Sequence, residues 1–189
     1  MGDWEKKRIE HDYLTEDSLV FCVGGYKGVF ESKLYNKYKC NIFIFEPVKM
    51  FYDELVNKFN NEPKVKIFNF GLFSENKKCY ISVNGDGSSI HQGKLTTEIE
   101  LVDIVDFLDE KHVDKIDLME INIEGSEFRL MNRLIDSGKI STVKNIQLQY
   151  HKFIDDSETK RNDICDKLKD LGWERKWNWD FVWEYWSHE

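Results

Sequence analysis

Short apolar runs alternate along this chain with longer stretches in which apolar residues recur at helical spacing. Apolar runs of this length indicate buried strands, and the helical spacing indicates helices with one buried face. The pattern predicts strands at 19–23, 41–45, 65–70, 79–83, 98–102, 116–123 and 144–150, and two closing strands within 173–186. It predicts helices at 28–38, 48–59, 103–111, 126–137 and 158–171.

Repeated strand and helix units predict an α/β fold in which a doubly wound, mainly parallel sheet carries helices on both faces. The two closing strands predict an antiparallel carboxyl-terminal edge. A length of 189 residues suits one domain spanning 1–189. Within it, 1–17 is expected to be an amino-terminal extension, and 71–102 an inserted β-rich loop region.

One predicted strand carries charged and amide groups where apolar ones are expected. Side chains alternate across a strand, so Glu120, Asn122 and Glu124 should share one face of it. A buried carboxylate costs several kcal/mol unless it is paired or hydrogen-bonded. The segment is therefore the first candidate for a functional site.

Net charge, the amino terminus and the cysteines indicate which partners and which cellular location to expect. The net charge of −8 argues against a partner bound through phosphates, so no nucleic acid is expected. The amino terminus lacks the apolar region of a signal peptide, and Lys6 replaces the Ser or Thr of a myristoylation signal. We expect a cytoplasmic protein with no membrane anchor. The four cysteines lack zinc-site spacing and are expected to be reduced structural thiols.

The first strand leads through a glycine-rich turn into a helix, an arrangement that lets backbone N–H groups meet an anionic ligand. The second strand ends at Glu46, where a carboxylate can accept hydrogen bonds from both ribose hydroxyls. Together they predict an adenosine-containing cofactor. A dinucleotide fingerprint from Gly24 would need glycine at Tyr26 and Val29, so the Gly24 to Gly28 spacing favours S-adenosylmethionine. Alternatively, the glycines merely permit a tight turn.

Several motifs occur in the order seen in FkbM-family methyltransferases, which the chain resembles from about Ser18 to Trp186. These motifs are GGYKG from Gly24, FEP from Phe45, Gly71-Leu72, Ser88-Ser89, INIEGSE from Ile121, QLQYH from Gln147 and FVWEYW from Phe181. The resemblance implies a seven-stranded Rossmann-like sheet of the class I S-adenosylmethionine-dependent methyltransferases. It also implies O-methylation of a hydroxyl on a sugar or glycan precursor, in polysaccharide biosynthesis.

The resemblance, together with the turn and Glu46, gives a set of expected cofactor-binding residues. They are Gly24, Gly25, Tyr26, Gly28, Glu46, Pro47, Gly71, Leu72, Ser88, Ser89 and Asn122. The chain departs from the family at three positions. Cys22 stands where an Asp is usual, and Glu120 and Asn122 stand where Lys and Asp are common.

Transfer to a hydroxyl requires a base, and Glu124 and His151 are the candidates because both follow predicted neighbouring strands. Asn122 cannot act as a base and is expected to hydrogen-bond cofactor or acceptor. In the alternative interpretation, Glu124 caps a helix, a role that Glu127 fits better, and His151 is a surface histidine. Glu124 and His151 are too few ligands for a metal ion, and none is expected.

Aromatic residues recur at every second position near the carboxyl terminus, from Trp177 to Tyr185. They indicate packing, with a stacking platform for a sugar or adenine as the alternative. The expected partner is a small-molecule or glycan acceptor, with a homo-oligomer also open. Two other functions remain: a methyltransferase-like binding protein that has lost catalysis, and a nicotinamide-dependent oxidoreductase, which the glycine spacing disfavours.

Overall fold

The computed structural model describes residues 3–82 and 96–188 of the chain, with side chains from residue 5 onward. The larger sheet has seven strands in the order β3-β2-β1-β7-β8-β10-β9. Its strands are β1 (Leu19–Val23), β2 (Asn41–Phe45), β3 (Val65–Phe68), β7 (Leu118–Ile121), β8 (Asn145–Leu148), β9 (Glu174–Trp179) and β10 (Trp183–Ser187). The five strands β3, β2, β1, β7 and β8 run parallel, and β10 is antiparallel to both its neighbours, β8 and β9. The predicted fold class is confirmed.

Helices cover both faces of this sheet. They are α1 (Asp3–Ile9), α2 (Val29–Tyr38), α3 (Lys49–Lys58), α4 (Ile104–Glu110), α5 (Glu127–Asp136) and α6 (Ser157–Asp170). Alternate residues of the buried strands face opposite layers. On one side, Phe21 and Phe45 pack with Phe107 of α4, and on the other Cys22 and Ile44 pack against α2 and α3.

A second sheet of three strands lies in the predicted β-rich region, in the order β4-β6-β5. Its strands are β4 (Gly71–Phe73), β5 (Lys77–Ser82) and β6 (Thr96–Asp103). Apolar side chains of this sheet pack with Val48 and Phe51 beside α3. The small sheet is thereby held over the end of β2.

The strand that was expected to span 116–123 is shorter, because β7 ends at Ile121. The Asn122 N–H still bonds to the Val23 carbonyl, but Glu124 then adopts a φ of 49°, which is incompatible with a strand. The expectation that Glu120, Asn122 and Glu124 share one strand face is therefore wrong. Glu120 lies on the sheet face beneath α1, while the other two lie in the turn after β7.

Three elements were not expected from the pattern: the helix α1, the strand β4 and a short 3-10 helix at Lys139–Thr142. Helix α1 carries Lys6, Lys7 and Arg8 in its last turn and shows little apolar periodicity. In the part of the chain that the structure describes, none of the helices has the length and apolar character needed to cross a membrane.

Candidate functional site

A pocket opens at the carboxyl ends of β1, β2 and β7, the edge at which open α/β sheets bind ligands. Its lining combines the polar side chains of Glu46, Asn122, Glu124 and Ser126 with mostly apolar walls. It is formed by Gly24, Tyr26, Phe45, Glu46, Pro47, Val48, Phe51, Gly71, Leu72, Phe73, Ile81, Ile99, Leu101, Asn122, Ile123, Glu124 and Ser126.

Gly24 brings the ends of β1 and β7 into close backbone contact. It adopts a φ of 98°, and a Cβ at this position would lie 2.1 Å from the Asn122 carbonyl oxygen. No side chain larger than hydrogen fits there without displacing the turn after β7. The glycine therefore fixes the floor of the pocket and the position of Asn122.

Glu46 is the buried acid of the pocket, 5% exposed. Its carboxylate accepts a 2.8 Å hydrogen bond from the Tyr26 N–H and another of 2.8 Å from the Val48 N–H. Burial raises the pKa of Glu46 to about 7, although these backbone hydrogen bonds counteract the increase. Each carboxylate oxygen has a second lone pair, so the group can still accept hydrogen bonds from two hydroxyls.

Asn122 lines the pocket from the opposite side. Its Oδ1 atom is buried and accepts no hydrogen bond from any residue that the structure describes. An unpaired buried carbonyl oxygen costs about 1 to 3 kcal/mol. A bound ligand that donates a hydrogen bond to Oδ1 would recover this cost.

The remaining walls are apolar and come from two places. Pro47, Val48 and Phe51 follow β2, while Ile81 and Ile99 belong to the small sheet. These walls suit a flat aromatic ring such as adenine, and the Glu46 carboxylate after β2 offers acceptor oxygens that suit ribose hydroxyls. The residues therefore fit an adenosine cofactor.

Beside the pocket, the ring of His151 lies between two carboxylates. Its Nε2 atom is 3.3 Å from Glu124 Oε1, and its Nδ1 atom is 3.2 Å from Glu127 Oε1. Glu127 is fully buried and also accepts hydrogen bonds from the backbone N–H groups of His151 and Gly125. The Glu127 carboxylate thus joins the end of β8 to the turn after β7, and it orients the histidine.

This arrangement favours the protonated form of His151. Burial lowers its pKa, but the hydrogen bonds and charges of Glu124 and Glu127 outweigh burial and raise the pKa to about 9. Near neutral pH the ring is therefore an imidazolium that donates to both carboxylates. It has no free lone pair with which to take a proton from a substrate.

The structure brings most of the expected cofactor-binding residues together. Gly25 and Gly28 are absent from the pocket lining; a Cβ on either would collide with Leu55 of α3, so they permit close packing. Ser88 and Ser89 lie outside the described residues. His151 reaches the pocket through Glu124.

Sequence reasoning missed the apolar cover from the small sheet and the role of Glu127. The alternation of Ile99 and Leu101 along β6 marks one buried face, and this signal could have indicated the cover. No pattern in the sequence pairs Glu127 with His151, which lies 24 residues further on.

The sequence matches no protein-family model, and no curated protein matches it. Solved structures do match. Fibrillarin, a pre-rRNA processing protein of Methanococcus jannaschii, is 12% identical with a TM-score of 0.57, over 94% of this chain and 69% of that one. A Streptococcus pneumoniae protein assigned as a tRNA methyltransferase, solved with S-adenosyl-L-methionine, is 11% identical with a TM-score of 0.55, over 99% and 71%. The 23S rRNA methyltransferase ErmE is 10% identical with a TM-score of 0.53, over 100% and 68%. The fold is that of S-adenosylmethionine-binding methyltransferases.

These matches correct one expectation. The exclusion of nucleic-acid partners on the basis of net charge is wrong, because proteins of this fold include a pre-rRNA processing protein, a tRNA methyltransferase and an rRNA methyltransferase. Net charge averages over a whole surface and does not describe any one patch of it. In this chain, three lysines, Lys66, Lys111 and Lys115, line one groove with a single acid, Asp114, despite the acidic total.

Proposed function

We propose that this protein transfers a methyl group from S-adenosylmethionine to a hydroxyl group of a sugar. The observation that carries the proposal is a carboxylate, Glu124, which lines the cofactor pocket and is held in place by His151. The resemblance to FkbM-family enzymes supports the hydroxyl acceptor, and the fold supports methyl transfer from S-adenosylmethionine.

Different pocket residues bind different parts of the cofactor. Glu46 accepts hydrogen bonds from the ribose hydroxyls, and Asn122 Oδ1 accepts one from a donor on the cofactor or the acceptor. The apolar walls around Phe51 and Ile99 enclose the adenine. When bound, the cofactor supplies an electrophilic methyl group on a sulfonium.

The rest of the chemistry is positioning and removal of a proton. Alignment of the acceptor oxygen with the methyl carbon can contribute roughly 7 to 11 kcal/mol. Glu124 Oε accepts the proton of the acceptor hydroxyl as the oxygen attacks, which contributes about 10² to 10⁴ in rate. His151, held by Glu127, stays protonated and keeps the Glu124 carboxylate oriented toward the pocket. In this assignment Glu124 is the base and His151 a positioning residue.

The test is methyl transfer from radiolabelled S-adenosylmethionine to a panel of nucleotide sugars, oligosaccharides and structured RNA, with mass spectrometry to locate the methyl group. A product methylated on a sugar hydroxyl supports the proposal, and Glu124→Gln should then lower kcat with little change in cofactor affinity. Glu54→Gln, an exposed acid on α3, is the matched control.

The RNA in this panel tests a second candidate, a nucleic-acid acceptor, which the similarity to RNA methyltransferases favours. Methylation of a base nitrogen in RNA, with no product among the sugars, would overturn the hydroxyl assignment. Failure of the protein to bind S-adenosylmethionine in calorimetric titration would overturn the methyltransferase proposal itself.

A further inference from the structure

A second group of buried polar side chains lies beneath the pocket, on the sheet face covered by α1 and α2. Cys22 of β1 and Glu120 of β7 are direct neighbours in the ladder between these strands. Glu31 reaches them from α2, and one donor atom from each of the three residues lies within 4.8 Å of the others. All three side chains are buried, and none lines the cofactor pocket.

The carboxylate of Glu120 is only half satisfied. Its Oε1 atom accepts a 2.6 Å hydrogen bond from the Arg8 guanidinium, which lies over the Trp183 ring. Its Oε2 atom is buried and has no hydrogen-bond partner within the described ranges. The Glu120 side chain is 4% exposed, so solvent does not compensate for the missing partner.

An independent observation comes from the next strand. Gln147 of β8 is the register partner of Glu120, so both side chains leave the same face of the sheet next to each other. The Nε2 atom of Gln147 contacts the Arg8 carbonyl and His11 Nε2. Its Oε1 atom is buried and unpaired among residues 3–82 and 96–188. A second buried oxygen without a hydrogen-bond partner among the described residues thus belongs to the neighbour of Glu120 in the ladder.

We propose that Cys22, Glu31 and Glu120 form a binding site for a divalent metal ion of the zinc type. A thiolate combined with carboxylate oxygens suits zinc, whose ligands lie about 2.0 to 2.3 Å from the ion. Donors around such an ion are roughly 3.5 Å apart in tetrahedral geometry, so small side-chain rotations suffice. The hydrogen bond from Arg8 then orients a ligating carboxylate, as is common around metal ligands.

Charge balance supports this assignment. A divalent cation and the Arg8 guanidinium together carry three positive charges, which the carboxylates of Glu31 and Glu120 and a Cys22 thiolate neutralise. Binding releases the proton of the thiol and any proton that the two carboxyl groups hold. Because Cys22 and Glu120 each lie two residues before a pocket residue, the ion would fasten β1 to β7 directly below Gly24 and Asn122.

The test uses the whole chain, expressed with added zinc, freed of loose metal by gel filtration and analysed by elemental mass spectrometry. Replacement of zinc by Co²⁺ should produce a near-ultraviolet thiolate-to-metal absorption band. In C22S this band should disappear, and zinc affinity should fall by at least about 10-fold. The control is C165S, which removes a buried thiol on α6 outside the cluster.

Two results would overturn the proposal. One is a wild-type chain that retains only trace zinc and gives no band with Co²⁺, in which case the cluster holds water and protons only. The other is a band that persists in C22S. Circular dichroism checks that each variant folds. If C22S does not fold, E31Q serves as the test: it should keep the Co²⁺ band but bind zinc more weakly. Unchanged zinc affinity in E31Q would refute the assignment.

Discussion

The carboxylates around His151 should make the stability of the protein depend on pH in a defined window. His151 has a raised folded-state pKa of about 9, against an ordinary value of 6.5. A group with a raised pKa contributes its full stabilisation below its unfolded value, and that stabilisation is lost as pH rises through the folded value. The contribution of His151 should therefore be complete below about pH 6.5 and absent above about pH 9.

The magnitude follows from the two pKa values. Their difference corresponds to about 3 kcal/mol at most. The side chain of His151 is 11% exposed, so solvent screens this interaction little. Replacement by Gln removes the titrating group while keeping a side chain that can donate a hydrogen bond.

Urea unfolding of the wild type and of His151→Gln at several pH values between about 6 and 10 measures the effect. The difference in unfolding free energy between the two proteins should shrink by about 3 kcal/mol across this range, while titration of all other groups cancels. His112→Gln, which replaces an exposed histidine, is the control variant. A pH-independent difference for His151→Gln would show that the ring is not held as an imidazolium, and the division of roles with Glu124 would fail.

Three further predictions test the pocket and the layer beneath it. Gly24→Ala should destabilise the fold by about 3 kcal/mol or more in urea unfolding, because its Cβ meets the Asn122 carbonyl oxygen at 2.1 Å. The control Gly138→Ala has a positive φ but open space around it, and it should cost only about 1 to 2 kcal/mol. Equal costs for the two variants would contradict the close-contact argument. Glu46→Ala should raise the Kd for S-adenosylmethionine by at least about 10- to 100-fold in calorimetric titration, since the loss of even one hydrogen bond to a charged group costs about 1.5 to 3 kcal/mol. Unchanged affinity would remove Glu46 from the site. Arg8→Met should lower the unfolding free energy by about 3 to 5 kcal/mol, because it leaves the Glu120 carboxylate without its cation. Adding Glu120→Met in a double variant should restore much of this loss. The control Lys49→Met breaks an exposed pair with Asp53 and should cost no more than about 0.5 kcal/mol.

The fold could be predicted from the sequence because its signals are local. A short apolar run such as the one in β2 specifies a strand, and the helical periodicity of the segments on either side specifies helices. Neither signal needs information about distant residues. The position of the pocket followed from Gly24 and Glu46, since the ends of consecutive parallel strands must meet at one edge.

What could not be predicted depends on contacts between distant residues. Glu120 has its partner in Arg8, 112 residues away on a helix that shows no apolar periodicity. The strand β7 stops at Ile121 because the turn after it must pass over Gly24, and only the folded backbone reveals that contact. The protonation of His151 likewise results from two carboxylates that meet only in the folded chain.

The docking of α1 through Arg8 has a kinetic consequence. A helix of seven residues does not persist alone in water, so α1 can form only after the sheet offers the Glu120 carboxylate and the Trp183 ring. We therefore expect its contacts to be absent from the transition state for folding. Weakening them should leave the folding rate of the chain nearly unchanged and accelerate its unfolding, so this short helix governs how long each folded molecule lasts.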